Sequence, residues 1–156
     1  MKRNKIAALA LAMTLATPLT VSAYDTTQLQ RTEIIIKQSY EKLDCPYVWG
    51  ANSTKEFDCS SLVQYTFKQA NIKLPRTSAE QAKCGTEISL TDVRAGDLLF
   101  FDTRSGISSP SKTTHVGIYM GKDYVLHASS AKGKVVIEKF SESGMVPLLT
   151  TIRRMY

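Results

Sequence analysis

Between residues 27 and 43 the apolar side chains Leu29, Ile35, Ile36, Tyr40 and Leu43 recur at helical spacing, with Gln30, Glu33 and Lys37 at the polar positions. The pattern predicts an amphipathic helix. Pro46 and Gly50 then enclose Tyr47-Val48-Trp49, a loop or short extended piece in which Trp49 is expected to anchor the core. A second helix is predicted from residue 59 to about residue 70, because Asp58 suits its N-cap and Leu62, Val63, Thr66, Phe67 and Ala70 share a face. Thr77 and Glu80 have the spacing of a capping box, so a short helix is expected to start within Leu74-Pro75-Arg76-Thr77-Ser78. From Ala95 onward the period changes. Segments 98–101, 116–120, 124–128, 135–138 and 149–153 are short, apolar and largely rich in β-formers, and glycine, serine and lysine separate them. Helices first and a mostly antiparallel sheet second make an α+β fold. There are no internal repeats, and residues 105–112 read as an exposed, mobile polar loop.

The first 23 residues follow a different pattern. Lys2, Arg3 and Lys5 precede an apolar run over residues 6–15, and Val21-Ser22-Ala23 supplies the small residues of a cleavage site. Residues 1–23 therefore read as a secretory signal peptide. A membrane anchor is the alternative, but Thr14, Thr17 and Pro18 interrupt the run, which falls short of the roughly 20 residues a spanning helix needs. No cysteine follows the cut, so the expectation is an exported protein without a lipid anchor, periplasmic or extracellular, and not stably inserted in the membrane. Residues 24–156 would form one domain with a single core, expected as a monomer. Losing the three leader cations lowers the net charge from +6 to +3, compatible with an anionic cell-wall partner and equally with an ordinary soluble surface. Nothing clusters basic with aromatic residues in the way nucleic-acid binding requires.

Candidate chemistry gathers in Phe57-Asp58-Cys59-Ser60-Ser61-Leu62 and in the only two histidines, His115 and His127. Gly121-Lys122-Asp123 is a turn, so its flanking strands should pair with His127 opposite His115 or one diagonal step away. Val116, Ile118 and Met120 would face the core, leaving His115, Gly117 and Tyr119 toward a cleft or a packed helix. Cys59 would occupy the first helical turn, where the positive end of the helix and a nearby imidazolium favour thiolate over a thiol of ordinary pKa, about 8.5. In that scheme Cys59 is the nucleophile, His115 the base, and His127 the residue that holds the His115 ring in a useful tautomer. N–H groups at the helix start, with Ser60 among the binding residues, would stabilise an oxyanion. Asp58 opposes thiol ionisation unless turned away or paired, and is assigned a capping or substrate-amine-binding role.

Two other readings of these residues stay open. Cys59, His115 and His127 could hold a catalytic zinc, although no Cys-x-x-Cys or His-Glu-x-x-His pattern accompanies them. Alternatively Cys59 is an inert core thiol, a reading that its place between Asp58 and Ser60 disfavours. Parity and an oxidising compartment also allow a disulfide between Cys45 and Cys84.

Six blocks occur in order: Pro46-Tyr47-Val48-Trp49-Gly50, Phe57-Asp58-Cys59-Ser60, Leu74-Pro75-Arg76-Thr77-Ser78, Ala95-Gly96-Asp97-Leu98-Leu99-Phe100-Phe101, His115-Val116-Gly117-Ile118-Tyr119 and His127-Ala128-Ser129. With them the chain closely resembles the NlpC-type cell-wall cysteine peptidases, a papain-like family, from about residue 34 to residue 154. The resemblance implies a nucleophile helix packed on a five- or six-stranded antiparallel sheet, with Cys59, His115 and His127 as nucleophile, base and orienting residue. It implies that the Tyr47 hydroxyl lies beside the nucleophile and assists at the oxyanion. The activity it implies is hydrolysis of peptidoglycan stem peptides, between D-glutamate and a diamino acid or at the D-alanyl cross-link, with no metal or organic cofactor. An amidase or acyltransferase on the same scaffold, or a catalytically silent wall-binding module, remains the alternative. Ser61 and Ala51 stand where the family usually has glycine, which is expected to narrow or reshape the cleft. Cys45 is unusual before Pro46-Tyr47, and a bridge to Cys84 would staple the Tyr47 loop to the region after the short helix. The polar insertion before His115 is expected to form a rim or lid.

Overall fold

The computed structural model describes residues 23–51, 53–104 and 113–156. Residues 1–22 of the expected leader and the polar loop at 105–112 lie outside the described residues. Helices α1 (Ala23–Tyr40), α2 (Cys59–Gln69) and α3 (Ser78–Gln81) come first, followed by strands β1 (Thr86–Glu87), β2 (Leu98–Phe101), β3 (His115–Gly121), β4 (Tyr124–Ser129), β5 (Lys134–Lys139) and β6 (Leu149–Arg154). The strands form one six-stranded sheet in the order β1-β6-β2-β3-β4-β5, with every pair antiparallel. Among the described residues no helix is long and apolar enough to cross a membrane.

Strand β2, Leu-Leu-Phe-Phe, is buried along its whole length, because both faces of the sheet are covered. On one face Leu98, Phe100, Val116 and Ile118 pack against Val63 and Phe67 of α2 and against Ile35 of α1. Each such side chain contributes roughly 1.5–3 kcal/mol on burial. Opposite them, Leu99, Phe101, Val125 and Ile152 pack on Phe140 and Met145. That face carries Tyr119 as the alternation predicted, but it meets residues from the short turns following β5 where a cleft or a packed helix was expected. A third cluster joins Phe57 and Leu62 to Leu126, Ala128 and Val135, and seats the segment that leads into α2.

The start of α2 is closed on itself. Ser61 N donates to the Asp58 carboxylate at 2.7 Å, and Asp58 N donates to the Ser61 hydroxyl at 2.9 Å, a reciprocal capping box. Ser61 thus supplies a capping hydroxyl at the start of α2. At α3 the N-cap is Thr77, whose Oγ1 accepts from Glu80 N at 3.3 Å, as the Thr-x-x-Glu spacing predicted.

Two expectations change. Helix α1 buries Ile35 and Ser39, whereas Leu29 is 66% exposed and Tyr40 is exposed too. Three consecutive isoleucines leave the helical phase undetermined, and Ser39 enters the core because its hydroxyl donates to Ile35 O at 2.7 Å. The expected Cys45–Cys84 bridge is not formed, and both are free thiols. Cys45 packs against the cluster around Phe57 and Val135, while Cys84 packs against the α2 core, so the fold sends the two to different places.

Candidate active site

Cys59 opens α2 and is 7% exposed, at a cleft of about 350 Å³ walled in part by Trp49, Asp58, Ser60, Arg76 and Thr114. On its other side it packs with Val116, the residue that follows His115 in β3. The helix-start geometry therefore delivers the thiol to the beginning of the strand that carries His115. Among the described residues, no direct hydrogen bond joins the Cys59 sulfur to the His115 ring. A larger cleft of about 510 Å³, lined by Gln64, Tyr65, Lys68 and Lys73, holds neither the thiol nor an imidazole.

The two imidazoles meet as the hairpin pattern predicted. Ile118 pairs with Leu126, which sets His127 one diagonal step from His115. His115 Nε2 and His127 Nδ1 are 2.9 Å apart, with ring planes at 85°. Gly117 lies between the two on β3, and a Cβ there would lie 2.6 Å from Val125 Cγ2 and 3.4 Å from His127 Cβ. The His115 ring also leans on Phe101, with centroids 6.0 Å apart. On its far side His127 Nε2 lies 2.8 Å from Glu138 Oε2, and Lys132 pairs with the other carboxylate oxygen.

Burial acts on every ionisable group of the site. Burial pushes the Cys59 thiol up and the Asp58 charge adds to that, against the opposing pull of the Val116, Ser60 and Cys59 N–H groups. Burial pushes His115 down to about 3, with the His127 ring adding to the effect. His127 is also lowered, chiefly by burial, despite Glu138. Both shifts run against the thiolate and imidazolium expected from the helix end alone.

Asp58 is held by several donors at once. Its carboxylate takes Arg76 Nη2 at 2.5 Å and Nη1 at 3.1 Å, Gly50 N at 3.1 Å and the Ser60 hydroxyl at 3.2 Å, besides Ser61 N. Burial alone would raise it, but Arg76 and the Ser61 donors outweigh burial and hold it below the usual carboxylate range. Arg76 also donates to Ser60 Oγ at 3.0 Å and to Ala51 O at 3.0 Å. The capping role expected of Asp58 is thus seen, and the same carboxylate holds Arg76, with Ser60 in the network. The positive φ of Gly50, +72°, lets its N–H turn toward Asp58.

Tyr47 is held by a bridge to Phe57 and by its N–H donating to Gly133 O at 2.8 Å. Its phenol is raised by burial and then by the charges of Cys59 and Asp58. Trp49 is 83% exposed on the cleft, the reverse of the core anchor its size predicted. Sequence reasoning also missed Glu138. Its signal was the alternation of β5, since His127 opposite Val136 puts position 138 on the same face. As for zinc, both nitrogens of His127 are engaged, so a metal could reach that ring only by displacing His115 or Glu138.

A helix-initial cysteine laid on an antiparallel sheet, next to a pair of hydrogen-bonded imidazoles, is the layout of a papain-like cysteine hydrolase. The chain belongs to the NlpC/P60 family, which matches residues 44–154. It is 31% identical over 136 residues to the peptidoglycan endopeptidase RipB of Mycobacterium tuberculosis, covering 79% of this chain and 54% of RipB. It is 41% identical over 103 residues to a probable endopeptidase of Haemophilus influenzae, covering 65% and 62%. Among solved structures, NlpC2 of Trichomonas vaginalis is similar with a TM-score of 0.73 and 32% identity, over 80% of this chain and 47% of that one. The chain spans about half the length of RipB.

Proposed function

We propose that the protein is an exported cysteine endopeptidase that hydrolyses peptide bonds in peptidoglycan stem peptides, with residues 1–23 as its leader and 24–156 as the working domain. The observation that carries this reading is Cys59 at a cleft and at the start of β3, whose His115 pairs with His127 of β4. The names of the relatives supply the substrate class. His115 Nε2 faces His127, so its Nδ1 is the nitrogen left to take the Cys59 proton. The sulfur adds to the scissile carbonyl, and the N–H groups at the start of α2, together with the Tyr47 hydroxyl, receive the oxyanion. Collapse expels the amine, which takes the proton back from His115, and water then hydrolyses the Cys59 thioester. The bonds that fit are D-glutamyl to diamino acid, or the D-alanyl cross-link.

The test is digestion of purified sacculi and of muropeptides of defined stem, read by mass spectrometry. Fragment release that disappears in Cys59→Ala and His115→Ala supports the reading, and the masses name the bond. Undiminished release by Cys59→Ala would end it.

A further inference from the structure

We propose that Glu138 is a positioning residue which, from two rings away, decides which nitrogen of His115 is free to accept the Cys59 proton. The inference rests on the hydrolase reading of the site. Its basis is a line of contacts: Glu138 Oε2 lies 2.8 Å from His127 Nε2, and His127 Nδ1 lies 2.9 Å from His115 Nε2. An ionised carboxylate can only accept, so the hydrogen on His127 Nε2 is required for the first contact. A neutral ring has one such hydrogen, which leaves His127 Nδ1 as an acceptor. The second contact then requires the hydrogen of His115 on Nε2. By the same count His115 Nδ1 carries a lone pair, ready for the thiol.

Without the carboxylate, the two rings could just as well hold the opposite arrangement, with His127 Nδ1 donating and His115 Nε2 accepting. In that state His115 Nδ1 carries hydrogen and cannot serve as base. Glu138 remains ionised throughout and takes no proton, so the only proton moved is the one from Cys59 to His115 Nδ1. Burial would raise Glu138, but Lys132 and His127 outweigh it and keep it in the accepting form. Lys132 fixes the rotamer by holding the second oxygen. The titratable groups facing His127 are His115 from β3, Glu138 from β5 and Lys132 from the β4–β5 turn, so no other charge in that set competes for the role.

Imidazole ¹⁵N resonances of the folded protein read the tautomers without any substrate, and steady-state hydrolysis of a defined stem peptide reads the consequence. In the wild type, His115 and His127 should both show protonated Nε2 and unprotonated Nδ1. In Glu138→Ala that pattern should become a mixture, with kcat lower by roughly 10- to 100-fold, the range seen when the outer partner of a metal-bound histidine is removed, and KM little changed. Glu138→Gln can still accept through its amide oxygen, so it should restore the ¹⁵N pattern and part of kcat. If Glu138→Ala keeps the wild-type ¹⁵N pattern, or if an active wild type loses nothing in kcat, the proposal is overturned. A wild type with the expected ¹⁵N pattern and no hydrolysis would instead count against the hydrolase reading alone.

Discussion

Gly117 sits across from His127 in the β3–β4 register, and a Cβ there would press to 2.6 Å from the Val125 methyl and 3.4 Å from His127 Cβ. His115 and His127 approach each other diagonally past this missing side chain. Gly117→Ala should push β4 away from β3 at the site, costing about 1–3 kcal/mol as an overpacking change. Stem-peptide hydrolysis should fall further than the loss of folded protein explains. Urea denaturation alongside kcat measurements separates the two effects.

The fork between Arg76 and Asp58 supports a second prediction. The Asp58 side chain is buried, so removing its partner leaves a carboxylate with part of its hydrogen bonding gone. Because Arg76 is itself about a third exposed, Arg76→Ala should cost about 1–2 kcal/mol, below the penalty for breaking a fully buried pair. The uncompensated Asp58 charge should also raise the Cys59 thiol further, and iodoacetamide labelling at a fixed neutral pH should slow. Arg76→Lys should not rescue both effects, since one ammonium cannot reproduce the forked contact with both carboxylate oxygens.

The raised thiol and the lowered His115 also predict how labelling responds to pH. A resting thiolate paired with imidazolium would give an alkylation rate that levels off below neutrality. Here the rate should keep rising through the alkaline range, with a midpoint above the value of about 8.5 for a free thiol. A plateau below pH 7 would contradict the neutral resting pair.

Much of this was legible from the chain. The strands announced themselves because β-branched and aromatic runs alternate with turn residues, and the start of α2 followed from Asp58 alone. The histidine pairing was readable because a hairpin turn fixes register whichever short form it takes. What escaped was set by tertiary context. Trp49 looked like core material, but it follows Pro46 on a loop that is pinned at Tyr47 and Phe57 and projects past them. The phase of α1 was lost among Ile34, Ile35 and Ile36, and the two outlying cysteines were paired on parity when the fold separates them. Glu138 lay outside every recognisable block, so only the observed register of β5 brings it to His127.

Acid stability should carry the signature of His115. Its folded value of about 3 lies below the unfolded value of about 6.5, so between those limits the unfolded chain binds more protons and stability falls as pH falls. From pH 7 to pH 5 that difference amounts to about 2 kcal/mol. Asp58 and Glu138 act in the same direction only lower down, through the carboxylate range, because their folded values are depressed. Urea denaturation at the two pH values should show the loss in the wild type and a smaller loss in His115→Gln.

Trp49 offers the most direct view of the cleft, since it is the chain's only tryptophan and stands 83% exposed at the cleft wall beside Cys59. A large ring left in water at such a place gains by covering part of a bound peptide, as aromatic anchors do in other binding surfaces. Removing it should leave folding within about 0.5 kcal/mol of the wild type, because its side chain packs on so little. Binding should suffer instead, with KM for a stem peptide rising about 10-fold in Trp49→Ala and kcat little affected. The same ring reports the event optically. In Cys59→Ala, which cannot turn over, adding stem peptide should shift Trp49 emission to the blue as water leaves the ring. A saturable shift with a midpoint near the wild-type KM places the peptide over Trp49, whereas an emission spectrum indifferent to saturating peptide would place the substrate elsewhere.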